Sequence, residues 1–100
     1  MGIGHEEHAM KTIDFVRDHR AVIGDVLAQH RATNPRYIGE EMDDVEVVLL
    51  VQPAPDTSYF EIFELEDQLA AQLRTTVMVL TPGGLKGEDR DRIEAIAQEV

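Results

Sequence analysis

The sequence predicts a small α/β fold, a mixed three-stranded sheet packed with helices in the order helix, strand, strand, helix, strand, helix. Three observations carry this. Two short runs rich in β-branched residues, Val45–Val51 and Thr75–Leu80, have strand composition. Between them lies a helical stretch with its own start signal. Ahead of both, the first ~30 residues repeat apolar side chains at helical spacing.

In the first region Ile13, Val16, Ile23 and Leu27 form the stripe, and Phe15, Val22 and Val26 widen it. Lys11, Asp14, Arg17, Asp18, Arg20 and Asp25 fill the other side. One long helix fits, as do two with a break near Asp18–Arg20. Asn34-Pro35 is expected to end this region, because the residue before a proline disfavours helix. Arg36–Gly39 can form a short strand. Val45–Val51 is apolar on both faces, as in a central strand covered on both sides. The stretch "QPAPD" breaks the chain, and Ser58 with Glu61 has the form of a capping box. Ile62, Leu65, Leu69 and Leu73 then follow at helical spacing. A helix of this length between two strands favours a right-handed parallel crossover. After Thr75–Leu80, "TPGG" is a turn, and a last helix from about Glu88 is expected to face Ile93, Ile96 and Val100 inward.

Composition bounds the function. One hundred residues with 43% hydrophobic content suit one folded domain, residues 1–100. A net charge of −11 argues against a nucleic-acid surface and suits a basic protein partner. The absence of cysteine removes disulfides, thiolate metal sites and Cys nucleophiles. The longest apolar run, Val47–Val51, is five residues, far short of a membrane span. No signal peptide is evident in "MGIGHEEH", so a soluble cytoplasmic protein is expected.

Several residues invite chemistry. Glu40, Glu41, Asp43 and Asp44 precede the second strand and can be read as a weak metal site or, better, as a solvated turn. His5 and His8 are three apart, a spacing that can chelate a metal, but no third ligand is obvious and a frayed terminus fits better. His19 and His30 read as exposed helix residues. Gly83-Gly84 lacks the phosphate-loop frame. The only serine, Ser58, is used as a cap. Tyr37, Tyr59, Phe60 and Phe63 read as core or rim and not as base-stacking platforms.

Three stretches resemble the minimal nucleotidyltransferase family of the DNA polymerase beta superfamily, over roughly Phe15 to Val100. They are "FVRDHRAVIGDVLAQH" with "NPRYIG", "LLVQPAPDTSYFEIFELEDQLAAQL", and "TTVMVLTPGGLKGEDRDRIEAIAQEV". The resemblance implies a small magnesium-dependent enzyme that moves a nucleotide onto a hydroxyl, often encoded beside a HEPN-type RNase whose antitoxin it is. It also implies a Gly-Ser phosphate turn within G-S-x-A-R-G, an Asp-x-Asp pair at the second strand and a third Asp on the third strand, and it leaves residues 1–12 as an N-terminal extension. Helix-terminal N–H groups suit phosphate, and alternating strand carboxylates share metal ions.

Against that pattern Gly39 matches the turn glycine, but Glu40 replaces the serine and would repel a triphosphate. Six residues separate Gly39 from Glu46, so the short helix of the phosphate site is expected to be missing. Glu46 and Val48 fall on the Asp-x-Asp pair and Met78 on the third Asp. A thioether is a poor ligand for magnesium. The resemblance therefore implies a degenerate member without catalysis and without a cofactor, acting by protein binding as an antitoxin-like or regulatory subunit with a HEPN-type or other toxin. The former active-site face, with Val48, Leu50, Met78 and Leu80, is expected to be covered by the N-terminal helix, a second copy or another protein. One alternative is an active magnesium-dependent nucleotidyltransferase using Asp44 and Glu46, a two-residue shift that keeps one strand face. The other is a self-associating structural domain, such as a homodimer.

Overall fold

The computed structural model describes residues 10–100 of the chain. Its elements are α1 (Ile13–Asp18), α2 (Arg20–Gln29), β1 (Ala32–Tyr37), β2 (Val47–Pro53), α3 (Tyr59–Leu73), β3 (Val77–Leu80), a 3₁₀ turn (Pro82–Gly84), α4 (Gly87–Ile96) and β4 (Gln98–Glu99). The sheet order is β3-β2-β1-β4. β2 runs parallel to β3 and antiparallel to β1, and β4 is antiparallel to β1. The sheet is thus mixed, as expected, with a fourth strand of two residues added at one edge.

The first region is two helices, broken at His19. His19 Nδ1 donates to the Phe15 carbonyl at 2.8 Å, the acceptor that a continuing helix would give to the His19 N–H. That N–H goes to Val16 O instead. The His19 and Phe15 rings lie 4.5 Å apart. His19 and His30 are half-buried rather than exposed, and His30 Nε2 bonds Gln68 Oε1 at 2.7 Å.

Asn34-Pro35 does not end the helix. Arg31, at φ 59°, follows α2, and β1 begins at Ala32. Asn34 and Pro35 sit inside β1, where the register with β2 slips by one residue between Thr33 and Arg36. A bulge explains both residues: asparagine tolerates the positive φ of 55°, and proline needs no ladder partner there.

β2 is buried from Val47 through Val51 and lies between β3 and β1, which is why its alternation is invisible in the sequence. α3 starts with the capping box in place: Glu61 N–H donates to Ser58 Oγ and Ser58 N–H to Glu61 Oε1, each at 3.3 Å. Its stripe of Leu65, Leu69 and Leu73 is buried. Each such side chain contributes on the order of 2 kcal/mol of transfer free energy.

Two apolar layers result, one on each face of the sheet. Val47, Leu49 and Val51 pack with Val16, Ile23, Leu27, Leu65 and Leu69. Val48 and Leu50 pack with Ile38 and Ile93 on the other face. The last helix ends at Ile96, earlier than its expected run to Val100, because Ala97 turns extended (φ −65°, ψ 134°). Gln98 and Glu99 then pair with Tyr37 and Arg36, and Arg17 Nη2 donates to Glu99 O at 3.0 Å. Ile93 faces inward as expected, whereas Ile96 is exposed and Val100 packs against the first layer.

Candidate functional site

The sheet face that would carry catalytic carboxylates is made by alternate residues of β2 and β3. Val48 stands directly beside Met78 in the parallel register, and Leu50 beside Leu80. Val48 and Leu50 are completely buried. Met78 and Leu80 are half-buried against the same cluster, together with Met42, Val45, Leu85 and Ala97. The face is therefore closed, and what closes it is the chain itself, with Ile93 of α4 at its centre.

This corrects two expectations. The N-terminal helices do not cover this face; they lie on the opposite one, over Val47, Leu49 and Val51. Nor can Val48 and Leu50 meet a partner in this fold, since neither has any exposed surface. Only the edges of Met78 and Leu80 reach solvent.

The acidic stretch ahead of β2 is distributed among other tasks. Glu40, which the resemblance sets at the serine of the phosphate turn, forms an ion pair with Arg92 of α4. The hydrogen bond from Arg92 and the carboxylate charge beside it raise the arginine pKa further above its ordinary value. Glu40 thus bridges to α4 across the surface. Asp43 and Asp44 both have positive φ, 48° and 60°, and the Val45 N–H donates to Met42 O at 3.1 Å. These are the two central residues of a tight turn of the I′ pattern, in which Asp and Asn are among the side chains tolerated. Both are exposed, so the solvated-turn reading describes them.

Glu46 stands at the entrance to β2. Its carboxylate accepts from Thr75 Oγ1, its N–H donates to Thr76 Oγ1 at 2.8 Å, and its carbonyl accepts from Lys11 N at 2.8 Å. Because Asp44 lies in the turn and not on the strand, Asp44 and Glu46 are not an alternating pair on one strand face. Among the described residues no three His, Asp or Glu side chains come together as a metal-holding group. The residues that the resemblance sets at the three metal positions, Glu46, Val48 and Met78, supply one carboxylate where magnesium asks for several oxygens. The donor set does not fit the metal. Between Gly39 and Val47 the chain has two bends, at Glu40 and Glu46, a turn at Asp43–Asp44 and no helix, so the helix-borne phosphate cradle that the resemblance implies finds no helix here. Gly39 itself is held close to Tyr37, whose ring would lie 3.3 Å from an added Cβ. The Tyr37 hydroxyl donates to Lys11 O at 2.7 Å, and burial raises its pKa.

A groove lies elsewhere, about 490 Å³ at the carboxyl ends of β2 and β3, where Pro53, Ser58, Tyr59, Ile62, Thr81 and Pro82 contribute walls. It has no carboxylate, imidazole or amine among its lining residues. A second hollow of about 230 Å³ continues past Phe63, Leu80 and Leu85. Beside these grooves Tyr59, Phe60 and Phe63 are 77%, 79% and 59% exposed. The sequence reading placed them in the core or rim. For Phe60 and Phe63 the phase is the available signal, since neither falls on the Ile62, Leu65, Leu69, Leu73 stripe, whereas Tyr59 stands three residues before Ile62 at its edge. His5 and His8 lie outside the described residues. No helix among the described residues is long and apolar enough to cross a membrane.

No family model and no curated protein matches the sequence. Among solved structures, one described as a "putative minimal nucleotidyltransferase" superposes with a TM-score of 0.73 at 21% identity, over 90% of this chain and 97% of that one. The fold is therefore nucleotidyltransferase-like, a mixed sheet packed with helices.

Proposed function

We propose that this chain is a nucleotidyltransferase-fold protein that works by binding another protein, as an antitoxin-like or regulatory subunit of a toxin–antitoxin type pair, and does not transfer nucleotides. The observation that carries this is the pairing of Val48 with Met78 beneath Ile93. Nucleotide transfer on this scaffold needs a wet, charged cleft there, open to metal and triphosphate. A dry apolar layer closed by the chain's own helix supports the opposite reading. The partner proposed is a HEPN-type or other toxin in the cytoplasm, and a basic protein suits the net charge of −11. Neither cofactor, nucleic acid nor membrane is part of the proposal.

Two measurements test it together. The purified chain, incubated with magnesium and labelled nucleoside triphosphates, is expected to transfer no label to itself or to a co-expressed neighbour. Co-expressed with the product of the adjacent reading frame, it is expected to form a stable complex. Label transfer abolished by Asp44→Ala or Glu46→Ala would establish the enzyme instead, and failure of the neighbour to associate would remove the antitoxin role.

A further inference from the structure

We infer that the aromatic face of α3 and the adjoining groove form a docking surface for a cationic, apolar-faced segment of a partner protein. This deepens the binding role proposed above by naming the surface and the chemistry of what it takes.

α3 has two sides. Its core side is the leucine stripe already described. Its outer side begins with Tyr59, Phe60 and Phe63, all largely exposed. At the usual size of aromatic side chains these leave on the order of 400 Å² of apolar surface in water. That matches the largest patch found on ordinary monomers, which is often functional. The patch borders a groove rather than a flat surface. Tyr59 and Ile62 line both hollows, and the far wall is Leu80, Thr81 and Leu85. Aromatic anchors beside a pocket are the residue type and shape that concentrate binding energy at protein interfaces.

Charge selects the occupant. From Tyr37 to Leu73 the chain has ten acidic residues and no lysine or arginine. On α3 two of these are occupied: Glu61 closes the capping box, and Glu66 accepts the Val79 N–H at 2.8 Å. Glu64 and Asp67 are exposed and follow Phe60 and Phe63 at helical spacing, so apolar and acidic groups share one stripe. Beyond the groove Asp56 is ion-paired with Arg31. A basic segment with an apolar face satisfies both parts of this stripe. A second copy of the chain satisfies only one, since it sets Glu64 and Asp67 against acidic surface. The aromatic patch also supplies only about half of the ~800 Å² per partner that a stable dimer buries.

The test uses fluorescent helical peptides with leucines on one face and either lysines or glutamates on the other, followed by anisotropy with the whole chain. Saturable binding of the lysine peptide and none of the glutamate peptide are expected. Phe60→Ser with Phe63→Ser should weaken binding roughly tenfold or more. Glu64→Gln with Asp67→Asn should weaken it and flatten its salt dependence. All four positions are exposed, so circular dichroism should show both variants folded. Absence of lysine-peptide binding, or equal binding by the serine variant, overturns the inference. So does self-association in sedimentation that the serine variant abolishes, which would make a second copy the occupant. Label transfer by the same preparations would overturn the non-catalytic role and leave the peptide result readable. Peptide failure without transfer would overturn only this surface.

Discussion

Val48→Asp places a carboxylate on the β2 face under α4 and separates a closed face from an open one. Val48 has no exposed surface and its neighbours Leu50, Ile38 and Ile93 are apolar. Removing the valine forfeits about 2 kcal/mol of burial. Placing an unbonded carboxyl there adds about 1–3 kcal/mol even in its neutral form. The expected loss is therefore roughly 4 kcal/mol at acidic pH, against a total of about 5–15 kcal/mol for a typical domain. The pH dependence has a definite sign. Burial raises the folded-state pKa of the new carboxyl above its unfolded value of about 3.9. Between those two values the unfolded chain loses the proton while the folded chain keeps it, so stability falls as pH rises, by about 1.4 kcal/mol per pH unit. Urea unfolding by far-ultraviolet circular dichroism, at several pH values from 4 to 7 and relative to wild type, measures both quantities. Met78→Asp, at a half-buried position, should show a smaller loss and a shallower slope. A cost below about 1 kcal/mol for Val48→Asp, with no added pH slope, would mean the carboxylate reaches water. The closed-face reasoning would then be wrong.

Three further changes follow from the same packing. Ile93→Ala opens the second layer at its centre and should cost about 2–5 kcal/mol in urea unfolding, with increased binding of an apolar dye marking the uncovered face. Ser58→Ala removes half of the capping box and should cost about 1 kcal/mol, whereas Ser58→Asp, which can still accept, should cost much less. Asp44→Gly relieves a side chain held at positive φ and should raise the thermal midpoint, and millimolar magnesium should leave the midpoint of both proteins unchanged. A lowered midpoint in the glycine variant would mean that Asp44 has a role beyond the turn.

What the sequence revealed, and what it hid, divides along range of interaction. The capping box, the two main strands and the parallel connection depend on local composition and length, and each was legible in residues 45–80. The bulge at Asn34-Pro35 was not, because proline stops a helix and tolerates a bulge by the same missing donor, and only pairing with β2 decides between them. β4 has two residues and exists because β1 offers an unpaired edge there. The face of the sheet was readable from alternation, since Val48, Leu50, Met78 and Leu80 did fall together. Its cover was not, because α4 contributes one buried residue, Ile93, and is bridged by an ion pair between Glu40 and Arg92, 52 positions apart.

That ion pair and the apolar layer under Ile93 meet on one helix. An acid at Glu40 opposes a triphosphate but attracts Arg92, and Arg92 sits one residue before Ile93 on the covering helix. An apolar pair at Val48 and Met78 rejects magnesium but accepts Ile93. Both features therefore support the same closed arrangement. The converse also holds: carboxylates at positions 48 and 78 would leave Ile93 packed against charge, and α4 could close over them only by desolvating both. One sheet face cannot be at once a hydrated metal site and a packed layer. Here the residues on both sides of it favour the layer, and among the described residues the large exposed aromatics lie on the outer side of α3.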